Sequence, residues 1–389
     1  MLINKQRFYR AFIFLAMLCL ALCGCIAMIE NDGDSEVAHS AFYYFLTFVA
    51  LLPSLVVYFN SRLHHQQIPS FIKWFAVLIM WMTITSIIWG MSNLRATVFI
   101  CLRTLIAFEA LCMMYVYSRT YGEDKKIYWM AIGMQVIFIL QYIRIYSIAN
   151  LVSEAHLITS YYSLFMLPLV LMYPSRIIKS ASILIVTLAI FASVKRGGII
   201  ALTLGLIVYL ICFRRIQSKE IKVYVYTLVA LCSLGIVFYY ISMSEFGGVI
   251  ERIASIGDDG GSGRTDVWAT TWDMILQSNF IHFLLGHGSN AVLQNSPLDL
   301  SAHNDLLEAW YDYGFIGFLL YLFTLVSLGL YSLRLLQNKS SHAPSMIMML
   351  TIMVILTMIS HVLIYYFLTL CCLTYGLITG QEYYNEHHQ

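Results

Sequence analysis

Ten apolar stretches of spanning or near-spanning length punctuate this chain, at 11–28, 41–59, 71–89, 94–117, 127–147, 158–173, 181–194, 199–213, 223–241 and 315–333. An eleventh, 346–380, is too long for one crossing. Ser360 and His361 interrupt it near the middle, so it reads as two helices joined by a short external turn. A helix needs about 20 apolar residues to cross a bilayer. The spacing therefore predicts an all-α integral membrane protein with about 12 transmembrane helices. Composition agrees, because 60% of the 389 residues are apolar and only 11% are charged. An ordinary soluble domain carries about 25% charged residues. A soluble globule, a disordered chain and a nucleic-acid binder are excluded, and a net charge of +2 supplies no polyanion-binding surface.

The basic residues orient the helices. With a cytoplasmic N-terminus, alternate loops hold Lys5/Arg7/Arg10, Arg62/Lys73, Arg119/Lys125/Lys126, Arg176/Lys179, Arg214/Arg215/Lys219/Lys222 and Arg334/Lys339, which is 16 of the 23 Lys and Arg. That excess is what the positive-inside rule requires, and it predicts both termini inside. Lys5, Arg7 and Arg10 ahead of an apolar run to Cys25 imitate a secretory leader. Cys23 stands before Gly24, where a small or β-branched residue is more usual, so the run is read as the first membrane helix. The nine cysteines all fall in apolar runs and imply no disulfide framework.

The chain reads as one polytopic domain over 1–389, whose only soluble-sized segment is the external loop 242–314, with short helices inside it. Thr265 is a plausible N-cap there, with Asp266 in the first turn and Trp268, Trp272 and Leu276 on one face. Such a helix either lies in the headgroup region or covers the bundle.

Candidate chemistry gathers on the external side. Lys195 and Arg196 interrupt an apolar run, and Gly197 and Gly198 behind them let a phosphate or sugar approach the backbone. The arginine fork suits phosphate. Arg103 lies about 12 Å below Arg95 along its helix, a depth at which a charge faces a polar cavity or a partner. Arg144, near the outer end of the fifth span, could join the same cavity. The loop adds Gly263-Arg264, Gly286-His287-Gly288 and Ser301-Ala302-His303-Asn304-Asp305. His303 is expected at a helix start capped by Asn304 or Ser301, with Asp305 and Glu308 in the first turns. A helix N-terminus keeps imidazole neutral and available as a base. HExxH, GxSxG and Walker A sequences are absent, so no metal or nucleotide cofactor is expected.

Arg196-Gly197-Gly198 between two spans, Gly263-Arg264 with Trp268 in a long external loop, and His303-Asn304-X9-Gly314-X-X-Gly317 together resemble the O-antigen ligase and polymerase superfamily, over residues 181–333. The resemblance implies a GT-C-like helical bundle with a periplasmic loop, sited in a bacterial inner membrane. It implies an undecaprenyl-pyrophosphate-linked glycan donor and a sugar acceptor, without cofactor, and leaves room for a chain-length regulator as partner. Carried over, Arg196 and Arg264 would bind pyrophosphate, helped by Lys195, and His303 would activate the acceptor hydroxyl. Arg103 and Arg144 match no motif and rest on depth and charge. Ligases often carry a second histidine just before the His-Asn element. Ser301 and Ala302 stand there instead, which leans the reading to a repeat-unit polymerase, with His287 the external candidate for a substitute. A ligase that transfers to lipid A-core, or a flippase of lipid-linked sugars, stays open.

Overall fold

The computed structural model describes residues 2–30, 45–50, 68–89, 94–152, 157–193, 195–216, 263–363 and 366–388. No strand occurs among them; residues 45–50 are helical, and thirteen α-helices have both ends described: α1 (Leu2–Glu30), α2 (Ser70–Trp89), α3 (Leu94–Tyr121), α4 (Lys125–Val152), α5 (Ser160–Val170), α6 (Arg176–Ala192), α7 (Arg196–Ile216), α8 (Arg264–Gln277), α9 (Phe280–Leu285), α10 (Ala291–Asn295), α11 (Asp305–Gln337), α12 (Ala343–Ile359) and α13 (Phe367–His388). Among the described residues, six helices are long and apolar enough to cross a membrane, at Lys5–Met28, Ser70–Trp89, Thr97–Tyr121, Lys125–Ser147, Arg196–Ile216 and Asp305–Gln337. The chain is thus a multi-pass, all-helical membrane protein. The predicted span 223–241 and most of 41–59 lie outside the described residues.

Two predicted spans change character. The 158–173 stretch forms α5, only 11 residues long and buried at every position, with Pro168 inside. At 1.5 Å per residue it covers about 17 Å, roughly half a bilayer core. The 346–380 stretch does break at Ser360 and His361, and the turn is packed inside the protein: Ser360, His361, Val362 and Leu363 are all buried.

Lipid tails are as apolar as leucine, so membrane helices associate through close packing rather than hydrophobic transfer. Small residues do this here. On α13, Gly376 and Gly380 sit one turn apart against α3. A Cβ on Gly376 would meet the Leu111 carbonyl oxygen at 2.3 Å, and one on Gly380 would meet the Tyr115 carbonyl oxygen at 2.4 Å. On α7, Gly197 and Gly205 face Ile359 and Ile352 of α12, with buried Ala201 between them. α2 is fastened to α11 where the Trp81 indole N–H donates to the Tyr313 carbonyl at 2.8 Å. The cytoplasmic end predicted from the charges holds its own part-buried pair, Arg10 Nε to Asp124 Oδ2 at 2.7 Å.

Candidate functional site

Asn304 is the cap that the sequence suggested. Its backbone is extended, and its side-chain oxygen accepts from the N–H groups of Leu306 (3.0 Å) and Leu307 (3.3 Å). This satisfies two of the donors that a helix start leaves open. His303, just before the cap, has φ +50°, a left-handed conformation that is costly for a residue with a Cβ. Asp305 and Glu308 follow in the first turn and are both buried.

The helix that begins there does not run straight. Gly314 breaks it with φ 72° and ψ 177°. A Cβ on Gly314 would come within 2.2 Å of the Leu284 carbonyl oxygen, and one on Gly286 within 2.2 Å of the Asp312 carbonyl oxygen. The two glycines therefore let two backbones touch. His287 N–H donates to the Tyr311 carbonyl (3.1 Å) and Gly288 N–H to the Asp312 carbonyl (2.8 Å). The Asp312 carboxylate accepts from the N–H groups of Asn290 (2.8 Å) and Val292 (3.0 Å), which ties α10 to α11. Gly286 and Gly314 thus hold the segment 284–292 against α11.

Two helix beginnings carry the cations. α7 opens at Arg196, after Lys195. α8 opens at Arg264, behind Gly263 at φ +76°. Gly263, not Thr265, is the cap, so the predicted cap is off by two residues. The charge of Arg196 reaches Arg264, whose own charge burial already disfavours. Arg264 and Lys195 in turn act on His303. Burial first, then the charges of His361, Arg264 and Lys195, push the His303 imidazole down to about 3, so it is neutral at physiological pH. Arg264 and Lys195 therefore share the electrostatic surroundings of His303, and Arg196 those of Arg264.

Tyr161 and His361 were missed from the sequence. A Cβ on Gly198 would meet the Tyr161 ring at 2.6 Å, and one on Gly197 would meet Ile359 at 2.9 Å. These two glycines make room for a tyrosine and an isoleucine, which corrects their reading as space for a phosphate or sugar. His361 packs its ring on that of His303 at 4.9 Å. The second histidine beside His303 is therefore His361 and not His287. His287 instead stacks between His282 (4.3 Å) and Tyr311 (4.2 Å) and bonds Ser278 Oγ at 2.8 Å.

Two other candidates separate from this group. Arg103 is buried inside α3, as its depth implied, with its guanidinium 4.1 Å over the Phe99 ring. Arg144 is exposed on α4, which removes it from a buried cavity. The loop helix α8 buries Val267, Thr271 and Ile275 and exposes Trp272 and Leu276. Among the described residues, Asp305, Glu308 and His361 are the only three ligand-type side chains whose atoms converge, within 4.8 Å. His361 Nδ1 lies at ion-pair distance from both acids, 3.2 Å from Glu308 Oε2 and 3.5 Å from Asp305 Oδ1.

Burial pushes His287 down to about 4, with His282 adding to the effect. Both His287 and His303 titrate near ~6.5 when unfolded. Below ~6.5 the unfolded chain therefore binds more protons than the folded one, and stability falls as pH falls. In detergent, the melting temperature should hold above pH ~6.5 and drop toward pH ~4. His287→Gln should flatten that drop, and an equal drop in variant and wild type would contradict the assignment.

Residues 181–322 match the protein-family model described as O-antigen ligase, consistent with the O-antigen ligase and polymerase superfamily. No curated protein matches the chain.

Proposed function

We propose, with the family match over residues 181–322 as premise, that this protein is a polymerase of undecaprenyl-pyrophosphate-linked oligosaccharide repeat units. It acts at the periplasmic face of the inner membrane, with about 12 spans in a GT-C-like bundle, both termini cytoplasmic and 242–314 periplasmic. The observation that carries the reading is that Lys195 and Arg264 act on a half-buried, neutral His303, with the charge of Arg196 reaching Arg264. A pyrophosphate leaving group needs fixed positive charge, and an acceptor hydroxyl needs a base; both are within one electrostatic neighbourhood.

In this reading the acceptor hydroxyl oxygen attacks the anomeric carbon of the donor glycan. The bond from that carbon to the phosphate oxygen breaks, and the hydroxyl proton passes to His303. Arg196, Arg264 and Lys195 face the charge that develops on the departing pyrophosphate, in a low-dielectric site where such charge is worth most. A base with so depressed a pKa is weak. Seating the pyrophosphate beside Arg264 and Lys195 offsets their charge and strengthens it. The donor thereby arms the base for its own displacement. Arg103 enters this reading only by its depth and charge.

Replacing Arg196 by lysine tests the phosphate assignment. Lysine keeps the charge and loses the two parallel bonds of the fork. A charge-assisted bond is worth ~1.5–3 kcal/mol, so turnover should fall roughly ten- to hundredfold. Full activity would leave Arg196 as a point charge only.

A second reading, O-antigen ligase, is favoured by one observation. His361 supplies in space the second histidine that the sequence before His303 lacks. The acceptor separates the two. Purified protein in detergent, given the lipid-linked repeat unit and either a second repeat unit or lipid A-core, should lengthen the lipid-linked glycan. Transfer to lipid A-core alone would make it a ligase. Inactivity with both would favour a flippase.

A further inference from the structure

His361 has no part in the mechanism above, yet it is the most constrained side chain near His303. It is 2% exposed. Its Nδ1 lies 3.2 Å from Glu308 Oε2 and 3.5 Å from Asp305 Oδ1, and its Nε2 lies 3.0 Å from Ser301 Oγ. Neither carboxylate can turn away, because backbone N–H groups hold its other oxygen. Glu308 Oε1 accepts from Ala302 (2.9 Å), and Asp305 Oδ2 accepts from Val362 (2.8 Å) and Leu363 (3.0 Å). Two buried carboxylate oxygens face one ring nitrogen and Ser301 Oγ faces the other, so the His361 ring is enclosed at both nitrogens. Leaving those carboxylates without a cationic or donor neighbour would be costly.

His303 is held otherwise. Its backbone is in the left-handed region, and among the described residues the ring packed on its imidazole is that of His361, with centroids 4.9 Å apart and planes at 39°. We propose that His361 is a positioning residue for His303: Asp305 and Glu308 lock the His361 ring, and that ring sets the plane in which His303 meets the acceptor hydroxyl. The assignment rests on the reading of His303 as the base. It also accounts for the two acids placed on the first turn behind the histidine, and for the buried break between α12 and α13. That break carries His361 and donates the two N–H groups that pin Asp305.

A double-mutant cycle on the purified full-length protein tests this, with lipid-linked repeat unit as donor and acceptor. A misplacement of about 1 Å can cost about 100-fold in rate. His361→Gln should therefore lower kcat by roughly that factor, with the donor KM within about twofold. The His303→Gln/His361→Gln double variant should be no slower than His303→Gln alone, because the lost positioning acts through His303. The groups facing His303 are His361, Arg264 and Lys195, so removing His361 should also move the acid limb of the kcat–pH profile upward. A merely structural residue would leave that limb in place. Should His361→Gln fold poorly, Glu308→Gln keeps both rings and loosens the anchor, with an expected loss of roughly tenfold. Normal kcat in His361→Gln or Glu308→Gln, or effects that multiply in the double variant, would overturn the proposal. Normal turnover in His303→Gln alone would instead overturn the base reading, and the proposal with it.

Discussion

Replacing His303 by glutamine should lower glycan transfer by ~10²–10⁴, the range lost when a positioned base is removed. Glutamine keeps hydrogen-bonding capacity and approximate size but cannot take a proton near neutral pH. His303→Ala should be about as inactive. The left-handed backbone at His303 favours neither replacement over the other, so the comparison isolates the ring. Donor binding should survive in both variants, because Arg196, Arg264 and Lys195 hold the pyrophosphate in this account. Yield and thermal stability should stay close to wild type, and the acid-induced loss of stability should be smaller, since one histidine held neutral in the folded state is gone. Binding of the lipid-linked donor, measured beside turnover, checks the division of labour. Near-normal turnover in His303→Gln would make the residue an orienting donor. Loss of donor binding in both variants would move His303 to the pyrophosphate.

Gly314→Ala should destabilise the protein by more than about 4 kcal/mol, in the exceptional range for one substitution. The new Cβ would lie 2.2 Å from the Leu284 carbonyl oxygen and 2.5 Å from the Gly286 nitrogen. Both are backbone atoms, so no rotamer change relieves the contact, and alanine also pays for φ 72°. Separating α9 from α11 would break the His287 and Gly288 bonds to Tyr311 and Asp312. The loop would lose its register on the membrane helix, and activity would fall with stability. Gly329→Ala is the control: its nearest neighbour is the Leu350 side chain at 3.9 Å, and a helical glycine costs up to ~1 kcal/mol relative to alanine. Its stability should match or slightly exceed wild type. Denaturant unfolding of both variants in detergent measures the contrast, and equal stability would contradict the clamp.

Features governed by local rules were legible in the sequence. The cap at Asn304, the acids in the first turn behind it and the break at Ser360-His361 each follow from residue types within a few positions. The resemblance drew Arg196, Arg264 and His303 into one reading, and the charge of Arg264 does act on His303. Contacts across the bundle were not legible. His361 is 58 residues from His303, and a histidine in an apolar run reads only as an interruption. Tyr161 gave no signal either, because its partners are the N–H of Gly198 and the charge of Arg264. Gly197 and Gly198 were misread for the same reason: a glycine beside an arginine looks like a ligand cradle until the tyrosine that fills it is seen. The length of α5 was overestimated because apolar composition does not separate a crossing helix from a short one buried on every side.

The central claim is that glycan leaves a polyprenyl pyrophosphate at the cationic group around His303. Its most direct measurement follows both products of one reaction. Wild-type protein in detergent, given only the undecaprenyl-pyrophosphate-linked repeat unit, should release one undecaprenyl pyrophosphate for every glycosidic bond formed. His303→Gln and Arg264→Ala should each produce neither product at the wild-type rate. Glycan lengthening without pyrophosphate lipid release, or equal rates in the His303→Gln variant, would contradict the account.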